Sequence, residues 1–278
     1  MADTHFLDNL LETFTGWCHA RETCRALVLV GSAARSKRPA DEYSDRDVLL
    51  FVTDLDSPDY LAWMRQYAPI WMVIDHKQTP NKLWGIIFQG GHGIHLSVDS
   101  VGALQKIVDT QELEVDQWRG YKTLLDKDGL AMQMPEASLP PYQPPSEQDF
   151  LVCVESFMYG TLLLAKDIKR GNLWTVKSDN AVEQGFLLKM IEWHARARDG
   201  SDTWHRGEAM RTWTDADTWQ QLHGCFGRFD AEDSWQALFA SLELFQRLAK
   251  DVADWLGYPF PQAMIDEIDE YLHGVYSK

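Results

Sequence analysis

The sequence predicts an α+β fold, in which an N-terminal domain with a mixed β-sheet flanked by helices is followed by a C-terminal helical bundle. Short runs rich in leucine and valine in the first half have the length and composition of buried strands. Five prolines crowd residues 134–146, where neither a helix nor a central strand would persist. Beyond that segment, apolar residues recur at spacings of three and four, which is typical of helices. We therefore predict a first domain at residues 1–133, a connector at 134–146 and a second domain at 147–278.

The first domain alternates between helical and extended patterns. Residues 5–24 carry apolar side chains spaced for one face of a helix. The runs ALVLVGS and DVLLFVTD follow as predicted strands, separated by a polar connection at residues 33–44. DSPDYLAWMRQYA predicts a helix with a proline near its first turn. IWMVID predicts a strand, and LWGIIFQGGHGIHLSVDSV predicts two strands that turn at Gly90 and Gly91.

The second domain shows helical spacing in four segments. They are QDFLVCVESFMYGTLLLAKDIKRG, DNAVEQGFLLKMIEWHARA, DTWQQLHGCF and SWQALFASLELFQRLAKDVADWLG. Because each segment carries an apolar stripe that needs a partner, we predict that they pack together as a bundle.

The formal net charge of −16 argues against a nucleic-acid partner, because such binding depends on Lys and Arg residues that neutralise phosphates. The same negative field would concentrate a small polycation near the surface. An acidic cleft would therefore favour a multiply charged amine or guanidine as substrate. Acidic composition also serves solubility alone, and that interpretation stays open.

No apolar run approaches the roughly 18 to 20 residues that a membrane helix needs, and the N-terminus MADTHFLDNLLETF lacks a signal-peptide pattern. We expect a cytoplasmic protein without a membrane partner, as a monomer or a homodimer. Four cysteines, Cys18, Cys24, Cys153 and Cys225, form no C-x-x-C pair, which argues against a disulfide framework and a zinc site. We expect reduced thiols, with Cys153 and Cys225 buried.

The stretch LVLVGSAARSKRPADEYSDRDVLLFV carries the residues best suited to chemistry. If SDRDVLLFV enters a strand, Asp45 and Asp47 project from the same face, and their like charges repel. A hard divalent cation such as Mg²⁺ relieves that repulsion and keeps part of its coordination shell for water and phosphates. Upstream, a turn at Gly31 and Ser32 exposes backbone N–H groups that can hold a phosphate. The stretch therefore predicts a metal pair that faces a phosphate-binding turn.

The order of strand, Gly-Ser turn, spacer and Asp-x-Asp resembles the signature of the nucleotidyltransferase superfamily related to DNA polymerase beta. Further segments narrow the resemblance to the bacterial aminoglycoside 6-adenylyltransferases, the streptomycin-modifying enzymes. These segments are TLLDKDGL at residues 123–130, PPSEQDF, LLLAKDIKRGNLW and LLKMIEW. The similarity covers most of the chain, and the two predicted domains agree with that family's fold.

The resemblance implies an enzyme that transfers AMP from Mg-ATP to a hydroxyl of an aminoglycoside such as streptomycin, which confers antibiotic resistance. By position, Gly31 and Ser32 would hold the β- and γ-phosphates, while Asp45 and Asp47 would coordinate Mg²⁺. A base would take the proton of the attacking hydroxyl as pyrophosphate leaves. The cations expected near the phosphates are Arg35, Lys166, Arg170 and Lys177.

The sequence departs from that family at its third acidic position. The family has a carboxylate there that serves as general base, whereas the matching segment GIHLSVDSV has His95. An imidazole with a pKa of about 6.5 can take a proton at neutral pH, so we favour His95 as the base. Alternatively, Asp99 supplies the carboxylate, because it shares a strand face with His95. A third alternative is a site that binds nucleotide and metal without efficient transfer.

Two further groups of residues are candidates for contacts with substrate. Acids of the helical half could bind ammonium or guanidinium groups; they are Glu155, Asp179, Glu183 and Glu192. Trp84 and Trp174 could stack on adenine or on a sugar.

Other functions remain open from the sequence. A lincosamide nucleotidyltransferase also joins this kind of catalytic domain to a helical domain. A regulatory protein like the small nucleotidyltransferase antitoxins would share the GSAAR and SDRD segments, although those proteins lack such a large helical domain. His95 also motivates a nucleotide-binding protein with weak or no transferase activity.

Overall fold

The computed structural model describes residues 5–57, 59–76 and 81–278. The chain divides into two compact units, Met1–Pro141 and Tyr142–Lys278. All described strands belong to the first unit, and the described elements of the second are helices. The predicted α+β architecture, a sheet with helices followed by a helical half, is therefore confirmed.

The first unit contains six strands and three α-helices among its described residues. In chain order they are α1 (Phe6–His19), β1 (Cys24–Val30), β2 (Arg46–Val52), α2 (Asp59–Tyr67), β3 (Ile70–Asp75), β4 (Lys82–Phe88), β5 (Gly93–Ser100), α3 (Val101–Thr110) and β6 (Lys122–Asp126). The strands form one sheet in the order β3-β4-β5-β2-β1-β6. The pairing of β2 with β5 is parallel and the other four pairings are antiparallel, so the sheet is mixed.

The sheet buries a different apolar cluster on each face. On one face, α1 and α2 pack against alternate residues of the strands, among them Val48, Leu50 and Val52 of β2. On the other face, α3 packs through Leu104 against β1 and Phe51 of β2. The second face is the one that carries Asp47, because Asp47 alternates with Val48 along the same strand.

The described cysteines are all free and buried, as expected for Cys153 and Cys225. Cys18 at the end of α1 and Cys24 at the start of β1 also share a hydrogen bond. That bond raises the pKa of the Cys18 thiol and lowers the pKa of Cys24.

The second unit consists of α4 (Glu147–Lys169), α5 (Leu173–Asp199), α6 (Ala216–Leu222), α7 (Ala231–Leu256) and α8 (Gln262–Tyr276). α4 starts with a capping box, in which Ser146 Oγ accepts from the Asp149 N–H at 3.1 Å and the Asp149 carboxylate accepts from the Ser146 N–H. α4 and α5 approach closely at Gly160, where a β-carbon would overlap the carboxyl group of Glu183.

None of the helices within the described part of the chain combines the length and apolar composition that a membrane span requires.

Candidate active site

The β1–β2 hairpin brings the predicted phosphate-binding turn and the carboxylates together. β1 ends at Val30, and Gly31–Ala33 form one 3₁₀ turn. When the chain returns as β2, Val30 lies opposite Asp47 in the antiparallel register. The turn and the acidic pair are therefore neighbours because of strand pairing.

Asp47 lies directly over Gly31. The φ angle of Gly31 is +67°, in the left-handed region that favours glycine. A β-carbon at this position would also overlap the Asp47 carboxylate. Glycine is thus required for the backbone conformation and for the space that Asp47 occupies.

Asp45 and Asp47 share a face because the residue between them points the other way. Arg46 is buried, and its Nη2 donates to Asp8 Oδ1 on α1 at 2.9 Å. Asp45 lies against Gly93 at the start of β5, where a β-carbon would overlap its carboxylate. A glycine backbone therefore makes room for each carboxylate.

His95 is the next side chain on this face. The parallel register of β2 and β5 pairs it with Asp47, and its Nδ1 lies 2.8 Å from Asp47 Oδ1. This hydrogen bond raises the pKa of His95, while partial burial opposes the rise. With the Nδ1 proton donated to Asp47, Nε2 is the ring nitrogen that can accept a proton. The ring lies over Gly85 of β4, and its Nε2 is 3.7 Å from the position of a β-carbon there.

The loop after the phosphate-binding turn is closed by backbone contacts. The Ser32 carbonyl accepts from the Ala40 N–H at 2.9 Å. Arg35 Nε donates to the Arg38 carbonyl at 2.8 Å. Ser32 and Arg35 are both half-buried, and phosphate binding by them stays a prediction.

Sequence reasoning missed the connection from α3 to β6, which borders the same turn. Lys122 is exposed, and its Nζ donates to the carbonyl of Ala33 at 3.0 Å. Gly120 lies against Ala34 and Arg35, since its β-carbon would be 3.0 Å from Arg35 Cα. These contacts join residues about 90 positions apart, and no local pattern signals them. The segment TLLDKDGL begins directly after Lys122, and its resemblance to the family was the available indication that this part of the chain matters for function.

Asp116, in the same connection, is a further acid that sequence reasoning missed. Its side chain is exposed, but the surrounding protein atoms partly desolvate the carboxyl group and so raise its pKa. The negative charges of Glu114 and Asp47 raise the pKa further. Asp116 therefore lies close enough to Asp47 for their charges to interact.

Asp99 is separated from the cluster. It pairs with Phe51, four residues further along β5 than His95, which corresponds to about 13 Å of strand. Its Oδ1 accepts from the Ser100 N–H at 2.6 Å. Of the two candidate bases, the structure brings only His95 to Asp47.

The remaining predicted phosphate contacts lie in the second unit. Lys166 is exposed, and Arg170 is exposed with its Nη1 3.5 Å from Asp167 Oδ1. Lys177 Nζ donates to the Gly227 carbonyl at 3.0 Å and to Ser234 Oγ at 2.9 Å, and burial lowers its pKa. Phosphate binding by these cations stays a prediction.

The predicted substrate-binding acids of the second unit differ in environment. Glu155 and Asp179 are exposed, and Glu192 is half-buried with a pKa raised by burial. Glu183 is buried, and its Oε2 has no hydrogen-bond partner among the described residues. Burial, together with the charge of Asp179, raises the pKa of Glu183 to about 7.

The two tryptophans considered for stacking also differ. Trp84 is buried in the apolar cluster beneath α1 and α2, so it is a core residue and stacking on a ligand is excluded as its role. Trp174 is 82% exposed near the start of α5.

The acidic pair fits a magnesium ion by its donor chemistry. No cluster of three or more His, Cys, Asp or Glu side chains suited to a metal occurs among the residues that the structure describes. Mg²⁺ does not need three protein side chains, because it is commonly held by one or two carboxylates and completes its coordination shell with water and substrate phosphates. Asp45 and Asp47 beside the turn at Gly31 provide that donor set.

Comparison with known proteins identifies the family. The family model of streptomycin adenylyltransferase matches residues 6–275. The chain is 24% identical to an aminoglycoside 6-adenylyltransferase of Bacillus subtilis (strain 168), with 96% of each protein covered. It is also 24% identical to an aminoglycoside 6-adenylyltransferase of Campylobacter jejuni, over 85% of this chain and 84% of that protein. A crystal structure of an aminoglycoside 6-adenyltransferase from Bacillus subtilis aligns over 100% of both chains, with a TM-score of 0.48 and 19% identity. Since the family model spans nearly the whole sequence, this chain belongs to the streptomycin adenylyltransferase family and is a nucleotidyltransferase enzyme.

Proposed function

We propose that this enzyme transfers AMP from ATP to a hydroxyl group of an aminoglycoside of the streptomycin type, with Mg²⁺ as its metal. The observation that carries the proposal is the cluster of Asp45, Asp47 and His95 next to the turn at Gly31. The names of the relatives support the aminoglycoside as acceptor. The formal charge of −16 suits a substrate with several cationic groups.

The reaction is an in-line displacement at the α-phosphorus of ATP. The acceptor oxygen forms a bond to that phosphorus, the bond to the oxygen that bridges to the β-phosphorus breaks, and pyrophosphate leaves. The proton of the acceptor hydroxyl passes to Nε2 of His95, whose Nδ1–H is held by Asp47. The role of Asp47 toward His95 is therefore to orient the ring and to stabilise its charge when it is protonated.

Asp45 and Asp47 would hold the magnesium ion. When bound, the metal neutralises charge on the transferring phosphoryl group and on the leaving pyrophosphate. The glycines beneath the carboxylates leave room for them, and the hydrogen bond with His95 orients Asp47.

The β- and γ-phosphates would bind at the turn of Gly31 and Ser32, with Arg35 close by. We add Lys122 to this group, because its ammonium already lies 3.0 Å from the carbonyl of Ala33 in that turn. A cation at this position would stabilise the pyrophosphate as it departs.

The proposal is tested by incubating the wild-type protein with α-labelled ATP, Mg²⁺ and a panel of acceptors. The panel contains streptomycin, other aminoglycosides, lincomycin and a sample without acceptor. We expect labelled AMP on an aminoglycoside, with streptomycin modified fastest, and loss of product when EDTA removes the metal. Product with lincomycin alone would instead indicate a lincosamide nucleotidyltransferase, and no product with any acceptor would refute the transferase proposal.

The Asp47→Asn variant tests the assignment of the site. We expect kcat to fall by about a thousandfold, because metal-ion catalysis contributes several kcal/mol of charge stabilisation. Asp59→Asn, an exposed acid on α2, is the matched control and should keep wild-type rates. Substantial turnover by a folded Asp47→Asn protein would contradict the assigned role.

A further inference from the structure

We propose that the acceptor binds on the outer part of the sheet, where β3 and β4 present a saturated apolar surface beside His95. This β3–β4 face consists of Met72, Ile74, Leu83, Gly85 and Ile87. The ligand chemistry that fits it is a polyhydroxylated ring compound with cationic groups, which lays the C–H faces of its rings on these side chains. The inference rests on the proposed adenylyl transfer and assigns a place to its acceptor.

Strand register places this surface on the catalytic face of the sheet. Asp47 pairs with His95, His95 with Gly85, and Gly85 with Ile74 across three successive strand pairings. Residues that are paired directly across strands project to the same side. The β3–β4 face is therefore continuous with the acidic pair and the imidazole.

The described residues of the first unit leave this apolar surface exposed in part. Met72 and Ile74 are each 52% exposed, and Leu83 and Ile87 are half-buried. None of these four side chains belongs to the apolar clusters of the described chain. On the same side of the sheet, in contrast, Val28 of β1 and Phe51 of β2 belong to the apolar cluster that contains α3. Apolar side chains left open next to reactive groups are typical of a ligand surface.

The direction of the reaction selects the acceptor as occupant. In an in-line displacement, the attacking oxygen and the leaving oxygen lie on opposite sides of the phosphorus. The phosphate-binding turn follows β1 and the carboxylates belong to β2, so the leaving pyrophosphate is on the β1 side of the sheet. The attacking hydroxyl must then arrive from the β5 side, where His95 can take its proton. β4 and β3 are the next strands in that direction, about 5 and 10 Å beyond β5.

One border of the β3–β4 face suits a cationic ligand. At the opposite border, Asp45 lies over Gly93, which pairs with Ile87, but its charge is assigned to the metal ion. Asp99 projects from β5 to the same side near the other end, two residues beyond the partner of Leu83. A ring compound bound on this face can place a cationic group near Asp99 while its C–H groups cover the apolar floor.

The imidazole rings of His95 and His76 lie over Gly85, which links the apolar floor to the reactive ring. A β-carbon there would lie 3.7 Å from Nε2 of His95 and 3.9 Å from Nε2 of His76. Because Gly85 has no side chain, the ring of His95 rests against the backbone of β4, next to the apolar side chains of this face. A hydroxyl of the bound ring can thus reach the base directly.

The experiment measures steady-state kinetics of two variants, Ile74→Lys and Met72→Lys, each with the aminoglycoside that the wild type modifies fastest. Both positions are exposed on a strand, so the fold should tolerate the change. We expect KM for the aminoglycoside to rise about tenfold or more, since apolar contact is lost and a like charge is added. KM for ATP should stay within twofold. Met132→Lys adds the same charge at a 76% exposed apolar position and should match the wild type.

Each other outcome overturns the inference. A rise in KM for ATP alone would assign the surface to the nucleotide. Unchanged kinetics with a change of oligomeric state in sedimentation would assign it to a second copy of the chain, and unchanged behaviour in both assays would leave it without a ligand role. These failures are distinguishable from failure of the proposed function, in which the wild type itself transfers AMP to no aminoglycoside.

Discussion

Replacing Gly31 by alanine tests whether the glycine under Asp47 sets the geometry of this carboxylate, which we propose to be a metal ligand. The substitution has two physical consequences. An L-residue at φ +67° costs about 1–2 kcal/mol of backbone strain. The new β-carbon also overlaps the Asp47 carboxylate, which must retreat by about 1 Å to restore van der Waals contact.

A displacement of that size is large for an active site. Misplacement of a reacting group by about 1 Å can cost roughly a hundredfold in rate, so we expect kcat for AMP transfer to fall about a hundredfold. The free energy of unfolding should fall by only about 1–2 kcal/mol. Initial rates of labelled AMP transfer and urea unfolding of the full chain measure the two effects separately.

Gly129 provides a matched control. Its φ is +69°, nearly the value at Gly31, but no described atom lies within 4 Å of the position of its β-carbon. Gly129→Ala should therefore lose similar stability and keep its activity. If Gly31→Ala retained activity within a few-fold of the wild type, or if both variants lost activity equally, contact with Asp47 would not be the cause.

Three further predictions follow from individual side chains. His95→Ala should lower kcat about a hundredfold or more, as expected for loss of a general base. Asp99→Ala should lower kcat much less. If the two variants lost equal activity in the transfer assay, His95 would be rejected as the base. The pKa of Glu183 is raised from an ordinary 4.5 to about 7 in the folded chain. Between these pH values the folded state therefore binds more protons than the unfolded state. The free energy of unfolding should fall as the pH rises from 4.5 through 7. The loss is at most roughly 3 kcal/mol and should vanish in Glu183→Gln, as measured by urea unfolding between pH 5 and 8. Gly160→Ala should destabilise the second unit by about 1–3 kcal/mol, because the new β-carbon overlaps Glu183. Gly185→Ala, in α5, should be neutral or stabilising, because no described atom lies within 4 Å of the position of its β-carbon. The same unfolding assay compares the two variants.

Elements with a strong local pattern were predictable from the sequence. β1, β2, α2 and β3 each carry a distinct apolar run or stripe, and Gly90 and Gly91, with φ values of +99° and +86°, mark the turn between β4 and β5. α3 was missed because it begins immediately after β5, capped by Ser100, and its ten residues merge with the strand pattern. β6 was missed because a five-residue edge strand carries little pattern, and only its pairing with β1 defines it.

In the candidate site, too, some features were predictable from local sequence patterns and others were not. The shared face of Asp45 and Asp47 follows from the period of two in a strand, so it could be read locally. The contacts of Asp47 with His95 and of Ala33 with Lys122 depend on strand order, which local patterns do not encode. Asp99 could not be separated from His95 by the sequence, because alternation alone gives both residues the same face.

The alternation of Arg46 with its acidic neighbours has a consequence for engineering. At the start of β2, Arg46 points to the opposite side from Asp45 and Asp47, and its hydrogen bond ties the strand to Asp8 of α1. If the acceptor binds on the β3–β4 face as proposed, a combinatorial library at its exposed positions Met72 and Ile74 would alter acceptor preference and leave the buried core unchanged. Randomisation of Arg46 would be expected to eliminate most clones through misfolding, before selection for a new activity could begin.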